Sequence, residues 1–329
     1  MIRMLSRVVT FAISTVALAF AGPALAQTKI RMGIATIAPL APMFTLPEVA
    51  AKSGLIIEFV QFQRFADART ALASGDLDVT FYGPQDLSLA LAQGNRSMVA
   101  VAGVAGGGDC LIVRKGEDIR DWKQLEGKSI GVGAGSISWL KFAASTQEGG
   151  VPYNKMKIVN MVGGGAVYTR ALQDKQIDMA VVWQPFCAQG ILDGFAQYPT
   201  VDHNKSKMVG PMVAVLAMSK PFLDKNRDAA QKLVDAYYAV MQSFRNDRTR
   251  WAAVFAEKSG LPPNVAAEAI SRTILDETLP LQSIKRVTKY LAENGIVQRD
   301  VSGELDQYFN YELLAKATGK TPKQLGIDQ

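Results

Sequence analysis

Short apolar segments alternate with amphipathic segments along the chain as far as residue 218. The apolar segments have the length of β-strands, and the others carry apolar residues at helical spacing. Strands separated by helices of this length predict parallel sheets built from βαβ units. The first series of predicted elements is a strand over 29–36, a helix over 45–52, a strand over 55–59, a helix over 66–74, a strand over 78–82, a helix over 86–93 and a strand over 97–104.

A second series of the same kind begins near Arg114. It predicts a strand over 128–133, a helix over 136–148, a strand over 157–161, a helix over 166–175 and a strand over 178–183. Segment 208–218 is long enough for a strand that returns to the first series, and helical patterns dominate after Lys220. We therefore expect an α/β fold with two doubly wound lobes joined by two crossover strands, with a helical C-terminal extension packed on the first lobe.

Segments 71–84 and 171–185 share one pattern. Each has an Ala-Leu pair, then an aspartate, then an apolar strand that ends in an aromatic residue and a nearby proline. A proline there suits the first turn of a following helix. The likeness indicates two lobes of similar construction, although any two βαβ units can match in this way by chance.

The first residues have the three-part pattern of a secretory signal peptide. Arg3 and Arg7 give a positive start, Val8–Phe20 is mostly apolar, and Ala24-Leu25-Ala26 forms an A-x-A cleavage site. The apolar run is too short to span a bilayer, so we expect residues 1–26 to be removed and the mature protein to be periplasmic. Loss of the two arginines lowers the formal net charge from +6 to +4, and no basic block indicates nucleic-acid binding.

Candidate catalytic groups are scarce in this sequence. The single histidine, His203, lies in a polar loop and is expected to be solvated. Cys110 and Cys187 lie beside apolar segments and are expected to be two separate buried residues, although export permits a disulfide. The sequence has no G-x-S-x-G segment and no metal-ligand spacing. We therefore expect a protein that is not an enzyme and has no metal and no cofactor.

Ligands of open parallel sheets bind beyond the carboxyl ends of the strands. That rule selects segments 37–42, 82–85, 133–139, 161–165 and 183–185. The aromatic residues in them are either pocket walls or core residues. From these segments and the glycine-rich crossing, we expect the ligand to be bound by Ala38, Pro39, Leu40, Tyr82, Pro84, Gln85, Gly107, Ser136, Ser138, Trp139, Gly165, Trp183 and Gln184.

Segment Gly133–Ser138 leads from a predicted strand through glycines into a predicted helix. Unpaired N–H groups and the helix dipole favour an anion at such a position. Ser136 either caps the helix or binds the ligand, and Ser138 can add a hydroxyl donor. The run Gly131–Ser136 lacks the last glycine of a dinucleotide fingerprint, and no acidic residue ends the following strand.

The sequence places no obvious arginine or lysine in the cleft segments. We therefore expect a small anionic ligand, a sulfonate or a carboxylate, held by helix N–H groups and hydroxyls. The competing hypothesis is a neutral or cationic ligand that Asp109 or Asp86 holds against the aromatic faces of Trp183 and Tyr82.

Segment Asp121–Val132, DWKQLEGKSIGV, resembles the entry into the second lobe of periplasmic substrate-binding proteins. Gly75–Val79 and Gln176–Ala180 resemble the paired strand entries of that family. Within it, the chain is similar to the group that serves ABC importers of nitrate, sulfonates, taurine and the thiamine pyrimidine precursor. The resemblance implies a small-molecule ligand in an interlobe cleft and a membrane permease as partner. We expect a monomer, with lobe 1 at 27–113 and 208–329 and lobe 2 at 114–207.

The same superfamily includes a pyrimidine-precursor synthase, which is the alternative function and uses its own histidine and a cofactor-bound lysine. This chain lacks the corresponding histidine and the cysteine-rich motif. It also departs from the binding proteins at two places, the apolar segment Ile37–Met43 and the crossing Gly106–Gly108. We expect both departures to leave extra room in the cleft.

Overall fold

The computed structural model describes residues 27–329, so the predicted signal peptide lies outside the described residues. The strands are β1 (Thr28–Ile34), β2 (Leu55–Gln61), β3 (Val79–Tyr82), β4 (Met98–Gly107), β5 (Asp109–Arg114), β6 (Ser129–Val132), β7 (Lys157–Asn160), β8 (Met179–Trp183), β9 (Ala196–Gln197), β10 (Met212–Ser219) and β11 (Thr273–Leu275). The α-helices are α1 (Leu46–Ala51), α2 (Phe65–Ser74), α3 (Asp86–Ala92), α4 (Ile137–Glu148), α5 (Gly165–Gln173), α6 (Phe186–Leu192), α7 (Lys220–Lys225), α8 (Arg227–Phe244), α9 (Arg248–Ser259), α10 (Pro263–Ser271), α11 (Leu281–Glu293) and α12 (Tyr311–Thr318).

Two mixed sheets carry the fold. The first has the strand order β11-β4-β10-β3-β1-β2 and the second β7-β6-β8-β5-β9. β1 is parallel to β2 and β3, and β6 is parallel to β7 and β8, as βαβ units require. The predicted parallel βαβ pairs are therefore present, and each sheet also has antiparallel strands that were not predicted, because β10 runs antiparallel to both β3 and β4, and β5 runs antiparallel to β8.

The repeated pattern corresponds to a repeated structural unit. The first copy is α2-β3-α3 and the second is α5-β8-α6. β3 pairs with β1 in one sheet, and β8 pairs with β6 in the other, in the same parallel sense. The two sheets therefore share a helix–strand–helix unit next to their first parallel strand.

The chain crosses between the sheets at two places. It passes from β4 to β5 at Gly108 and returns to the first sheet with β10. The second sheet thus starts at Asp109, before the expected boundary at residue 114, and the return strand starts at Met212. A Cβ on Gly107 would lie 2.3 Å from the Arg272 carbonyl oxygen, and one on Gly108 would lie 2.9 Å from Pro39 Cγ. These glycines therefore permit the crossing to pack closely on Arg272 and Pro39, where a side chain would clash.

The C-terminal helices pack on the first sheet, as the sequence predicts. α8 contributes Leu233, Tyr237 and other fully buried residues to the core. Trp251 on α9 is also buried, and its Nε1 donates a hydrogen bond to the Ala38 carbonyl oxygen at 2.9 Å. This contact closes the core over the segment after β1.

A disulfide joins Cys110 on β5 to Cys187 on α6, with the Cα atoms 6.5 Å apart. The expectation of two unpaired buried cysteines is therefore wrong. Both residues are buried, as expected, but β5 passes beside α6 at the distance that a disulfide requires. This proximity depends on the pairing of β5 with β8, which is a contact between distant parts of the sequence.

Candidate functional site

A cavity of about 220 Å³ lies between the two sheets at the carboxyl ends of their parallel strands. Pockets for drug-sized ligands measure roughly 300–1,000 Å³, so this volume suits a small molecule. Its lining comes from the segments that follow β1, β2, β3, β6 and β7, together with the end of β8 and the starts of β5 and β10. The lining residues are Ala35, Ile37, Gln63, Arg64, Phe65, Ala66, Arg69, Gln85, Asp86, Leu89, Asp109, Gly133, Ala134, Gly135, Ser136, Ile137, Ser138, Asn160, Met161, Val162, Tyr168, Trp183 and Val213.

The structure brings part of the expected site together. Gln85, Ser136, Ser138 and Trp183 line the cavity. The other expected residues lie outside its lining, and they are Ala38, Pro39, Leu40, Tyr82, Pro84, Gly107, Trp139, Gly165 and Gln184.

Segment Ala38–Thr45 forms a 3-10 helix rather than an open loop. Ala38, Pro39 and Leu40 are buried in it, beneath α9 and Trp251. Because this helix belongs to the core of the first lobe, only Ile37 from the apolar segment reaches the cavity. The expectation of extra room beside this segment is therefore wrong.

The bulky side chains outside the cavity are buried in other parts of the structure. Trp139 is 6% exposed, and its Nε1 donates to the Tyr153 hydroxyl at 2.7 Å. Gln184 is fully buried, and its Nε2 donates to the Tyr198 hydroxyl at 2.9 Å. Tyr82 is buried within the first sheet. These three residues support the surrounding core rather than the cavity wall.

The small residues outside the main cavity, Pro84, Gly107 and Gly165, lie in three different surroundings. A Cβ on Gly165 would lie 2.1 Å from Phe186 Cδ2, so the start of α5 packs directly on α6. Gly107 borders a second cavity, of about 360 Å³, together with Tyr198 and Arg272. Pro84 lies between β3 and Gln85. Gln85 lines the main cavity, and Pro84 does not.

The first turn of α4 forms one side of the cavity. The Ser136 side chain accepts a hydrogen bond from the Trp139 N–H at 3.1 Å, so Ser136 is the N-cap of this helix. The Ser138 hydroxyl donates to Asp109 Oδ1 at 2.6 Å. The N–H groups of Ile137 and Ser138 have no acceptor within the helix, because the first turn of an α-helix leaves its donors unpaired. These backbone donors are available to an anion.

Two arginines that are not among the expected site residues, Arg64 and Arg69, line the same cavity as the first turn of α4. Arg64 precedes α2 and forms two hydrogen bonds to Asp67, with Nε–Oδ2 and Nη2–Oδ1 distances of 3.0 and 2.7 Å. Arg69 on α2 contacts Asp86 Oδ1 at 2.5 Å through Nη1. The segment after the second predicted strand leads to both arginines, and the rule for strand ends would have found them had that segment been included.

The two acidic residues of the cavity have cationic partners. Asp86 is paired with Arg69 and accepts a hydrogen bond from the Gly83 N–H at 2.8 Å. Burial raises the pKa of Asp86, and Arg69 opposes that shift. Asp109 Oδ2 lies 2.6 Å from Lys141 Nζ, and both side chains are almost wholly buried. A cationic ligand would have to compete with these existing partners.

An apolar wall completes the cavity. Trp183 packs edge-on against Tyr168 and Phe186, with ring centroids 5.6 and 6.0 Å away. Met161 and Val162 line the same region. The cavity therefore combines polar groups with an apolar surface, which is typical of sites for small organic ligands.

The histidine is not in the cavity lining and is not solvated. His203 is fully buried, and neither ring nitrogen has a hydrogen-bond partner within residues 27–329. Burial lowers its pKa to about 3, and Lys141 adds to that shift. The expectation of a solvated histidine is wrong, because the 3-10 helix His203–Lys205 packs against α4.

The pattern that defines the NMT1/THI5-like family matches residues 51–247. The chain belongs to this family. Its relatives include the taurine-binding periplasmic protein of Escherichia coli strain K12, which is 25% identical over 79% of this chain and 84% of that protein. The NMT1/THI5-like chain is therefore related to periplasmic binding proteins.

Solved structures show that this NMT1/THI5-like chain has the fold of such proteins. The alkanesulfonate-binding protein SsuA from Xanthomonas axonopodis pv. citri, bound to MOPS, has a TM-score of 0.75 at 17% identity, over 86% of this chain and 98% of that one. The ligand-binding component of an ABC-type import system from Staphylococcus aureus has a TM-score of 0.76 at 18% identity, over 89% and 100%. Among residues 27–329, no helix is long and apolar enough to cross a membrane, and no cluster of His, Cys, Asp or Glu is suited to a metal ion.

Proposed function

We propose that this chain is an extracytoplasmic solute-binding protein that holds a small anionic organic ligand, a sulfonate or a carboxylate, in the interlobe cavity. It delivers that ligand to the membrane permease of an ABC importer. The observation that carries the proposal is a small cavity whose lining includes the first turn of α4, Arg64 and an apolar wall. The names of the relatives, for taurine, alkanesulfonate and ABC-type import, support the ligand class and the permease.

The acidic group of the ligand binds between the first turn of α4 and Arg64. The helix supplies backbone N–H donors and the positive end of its dipole. The guanidinium of Arg64 is charged over the whole physiological range, and its hydrogen bond to Asp67 is the main cause that raises its pKa further. The organic part of the ligand packs on Trp183. Of the residues expected from the sequence, Gln85, Ser136, Ser138 and Trp183 are the ones proposed to contact it.

An enzyme of the pyrimidine-precursor type finds little support in the cavity. The single histidine is buried away from it, and both cysteines form the disulfide. A binding protein returns its ligand unchanged, so mass spectrometry of a bound acid after long incubation distinguishes the two functions. Formation of product over time would favour the enzyme.

The proposal is tested by a thermal-shift screen over sulfonates, carboxylates, nitrate, taurine and pyrimidines, followed by calorimetry of the compounds that stabilise. Linkage gives about 2.7 kcal/mol of stabilisation at a ligand concentration of roughly 100 times Kd. An acid is expected to bind, and its amide is not. If folded protein is stabilised by no compound, or equally by acid and amide, the proposed function fails.

Arg64→Gln adds a residue-level test with a matched control. This substitution removes one positive charge from the cavity lining and is expected to weaken binding of the acid by roughly tenfold or more, as hydrogen bonds to charged groups contribute about 1.5–3 kcal/mol. Arg170→Gln is the control, since Arg170 forms a similar ion pair with Asp174 on the exposed surface. Equal affinities of the two variants for the acid would show that Arg64 does not contribute to ligand binding.

A further inference from the structure

Only one member of a buried ion pair belongs to the lining of the main cavity. Asp109 lines the cavity, and Lys141 does not. Lys141 Nζ lies 2.6 Å from Asp109 Oδ2, and the two side chains are 0% and 1% exposed. Salt and water screen buried charges much less than exposed ones. The charge of this part of the wall therefore depends on a lysine that lies outside the lining.

The protein itself occupies every donor of the Lys141 ammonium. Besides Asp109, the ammonium donates to Asn204 Oδ1 at 3.1 Å and to the Pro211 carbonyl oxygen at 3.0 Å. A lysine ammonium has three N–H donors, so none remains for a bound molecule. Lys141 therefore acts on a ligand through its charge and not through a hydrogen bond.

The Asp109 carboxylate lies beside the first turn of α4. Its Oδ1 accepts the hydroxyl proton of Ser138 at 2.6 Å, and the Ser138 N–H is one of the backbone donors proposed to bind the acidic group. A unit charge a few ångströms away, at an effective dielectric constant of about 20, changes affinity by roughly tenfold or more. An Asp109 carboxylate without its counter-charge would therefore repel an acid at this position.

Stability gives no reason for a charge pair at this place in the fold. Removal of two charges from water is costly, and replacement of a buried ion pair by apolar residues of similar volume is often neutral or stabilising. The neighbouring residues Leu140 and Phe142 on α4 are apolar and buried, so the surroundings would accept apolar side chains. An effect on what the cavity binds accounts for the pair, because its carboxylate forms part of the lining.

We propose that Lys141 determines the preference of the cavity for acids by neutralising Asp109, without contacting the ligand. The inference rests on the proposed function and deepens it, because it assigns ligand selection to a residue outside the lining. Arg69 differs from Lys141 in this respect, since it pairs with Asp86 but lines the cavity itself.

Calorimetry with acids and their amides tests this inference. The probes are 1-propanesulfonate with 1-propanesulfonamide, and butanoate with butanamide. Each pair differs in charge and little in size, so the ratio of acid affinity to amide affinity reports the electrostatic preference. General damage to the cavity weakens both members of a pair and leaves this ratio unchanged.

Three variants of the ion pair are expected to move the ratio in different directions. Lys141→Met leaves the carboxylate uncompensated, so the ratio is expected to fall by roughly tenfold or more. The double variant Asp109→Asn/Lys141→Met has a neutral wall and is expected to return the ratio to at least the wild-type value. Asp109→Asn leaves the lysine uncompensated, so the ratio is expected to rise above that of the wild type.

Lys320→Met is the matched control. Lys320 Nζ lies 2.7 Å from Oε1 of Glu277, a carboxylate whose side chain is 2% exposed, and neither residue lines the main cavity. This substitution changes the net charge of the protein as Lys141→Met does. The ratio in the control is expected to equal that of the wild type.

Two results overturn the inference and leave the proposed function intact. They are an unchanged ratio in Lys141→Met, and a ratio in the double variant as low as in Lys141→Met. If Lys141→Met does not fold, Asp109→Asn provides the comparison, and a ratio at or below that of the double variant overturns the inference. A wild type that binds none of the four probes also overturns it, whereas the proposed function fails only if the whole screen of acids fails.

Discussion

Because the His203 imidazole is buried, we expect the protein to lose stability in mild acid, and we expect a variant without this histidine not to show that loss. The imidazole is fully buried next to Lys141, and burial lowers its pKa from 6.5 to about 3. The ring is therefore neutral in the folded protein at every pH above that value. In the unfolded chain the same ring is solvated and takes up a proton near its ordinary pKa of about 6.5.

The direction and the size of the effect follow from this difference. Between about pH 6.5 and pH 3 the unfolded state binds more protons than the folded state, so the free energy of unfolding falls as the pH falls. The contribution of His203 is fully present above pH 6.5. It decreases by ~2 kcal/mol between pH 7 and pH 5, because each pKa unit of difference corresponds to about 1.36 kcal/mol.

Urea unfolding of the wild type and of His203→Leu, at several pH values from about 7.5 to 5, measures this contribution. The carboxylates titrate in both proteins, so they cancel when the two pH profiles are subtracted. The wild type is expected to lose ~2 kcal/mol more than the variant. Since the chain has one histidine, NMR observes its ring directly, and a titration midpoint near pH 6.5 in the folded protein would refute the reasoning.

Two further predictions concern the groups that hold the second lobe together. Reduction of the Cys110–Cys187 disulfide, which spans a sequence separation of 77 residues, is expected to lower the melting temperature through a loss of up to about 4 kcal/mol; an unchanged melting curve under reducing conditions would contradict this. Asp109→Asn leaves Lys141 charged and unpaired in the core and is expected to cost about 3–5 kcal/mol in urea unfolding. The double variant Asp109→Leu/Lys141→Met is expected to lose less free energy of unfolding than Asp109→Asn does. A larger loss in the double variant would contradict the proposed ion pair between Asp109 and Lys141.

The order of strands and helices was largely predictable because it depends on local patterns. The alternation of apolar and amphipathic segments located most strands of both sheets but not β5, β9 or β11, and the repeat located the equivalent units around β3 and β8. The direction of β10 was not predictable in this way. The apolar pattern of a strand does not show in which direction the strand runs within a sheet. The antiparallel pairing of β10 with β3 and β4 is decided by the path of the chain between the lobes.

The candidate site was predictable as far as the strand ends determine it. The rule for parallel sheets led to Gln85, to the first turn of α4 and to Trp183. It also included Trp139 and segment 38–40, which other parts of the chain bury. Trp251, more than two hundred residues further along, closes the core over Ala38, and no local pattern contains that contact.

The central claim is that an organic acid binds between the first turn of α4 and Arg64. A crystal structure of the protein with the tightest-binding acid from the screen tests it most directly. The account predicts the acidic group within hydrogen-bond distance of the Ile137 or Ser138 N–H and of the Arg64 guanidinium, with the organic part against Trp183. An acid bound outside this cavity, or bound in it with its acidic group away from α4, would contradict the account.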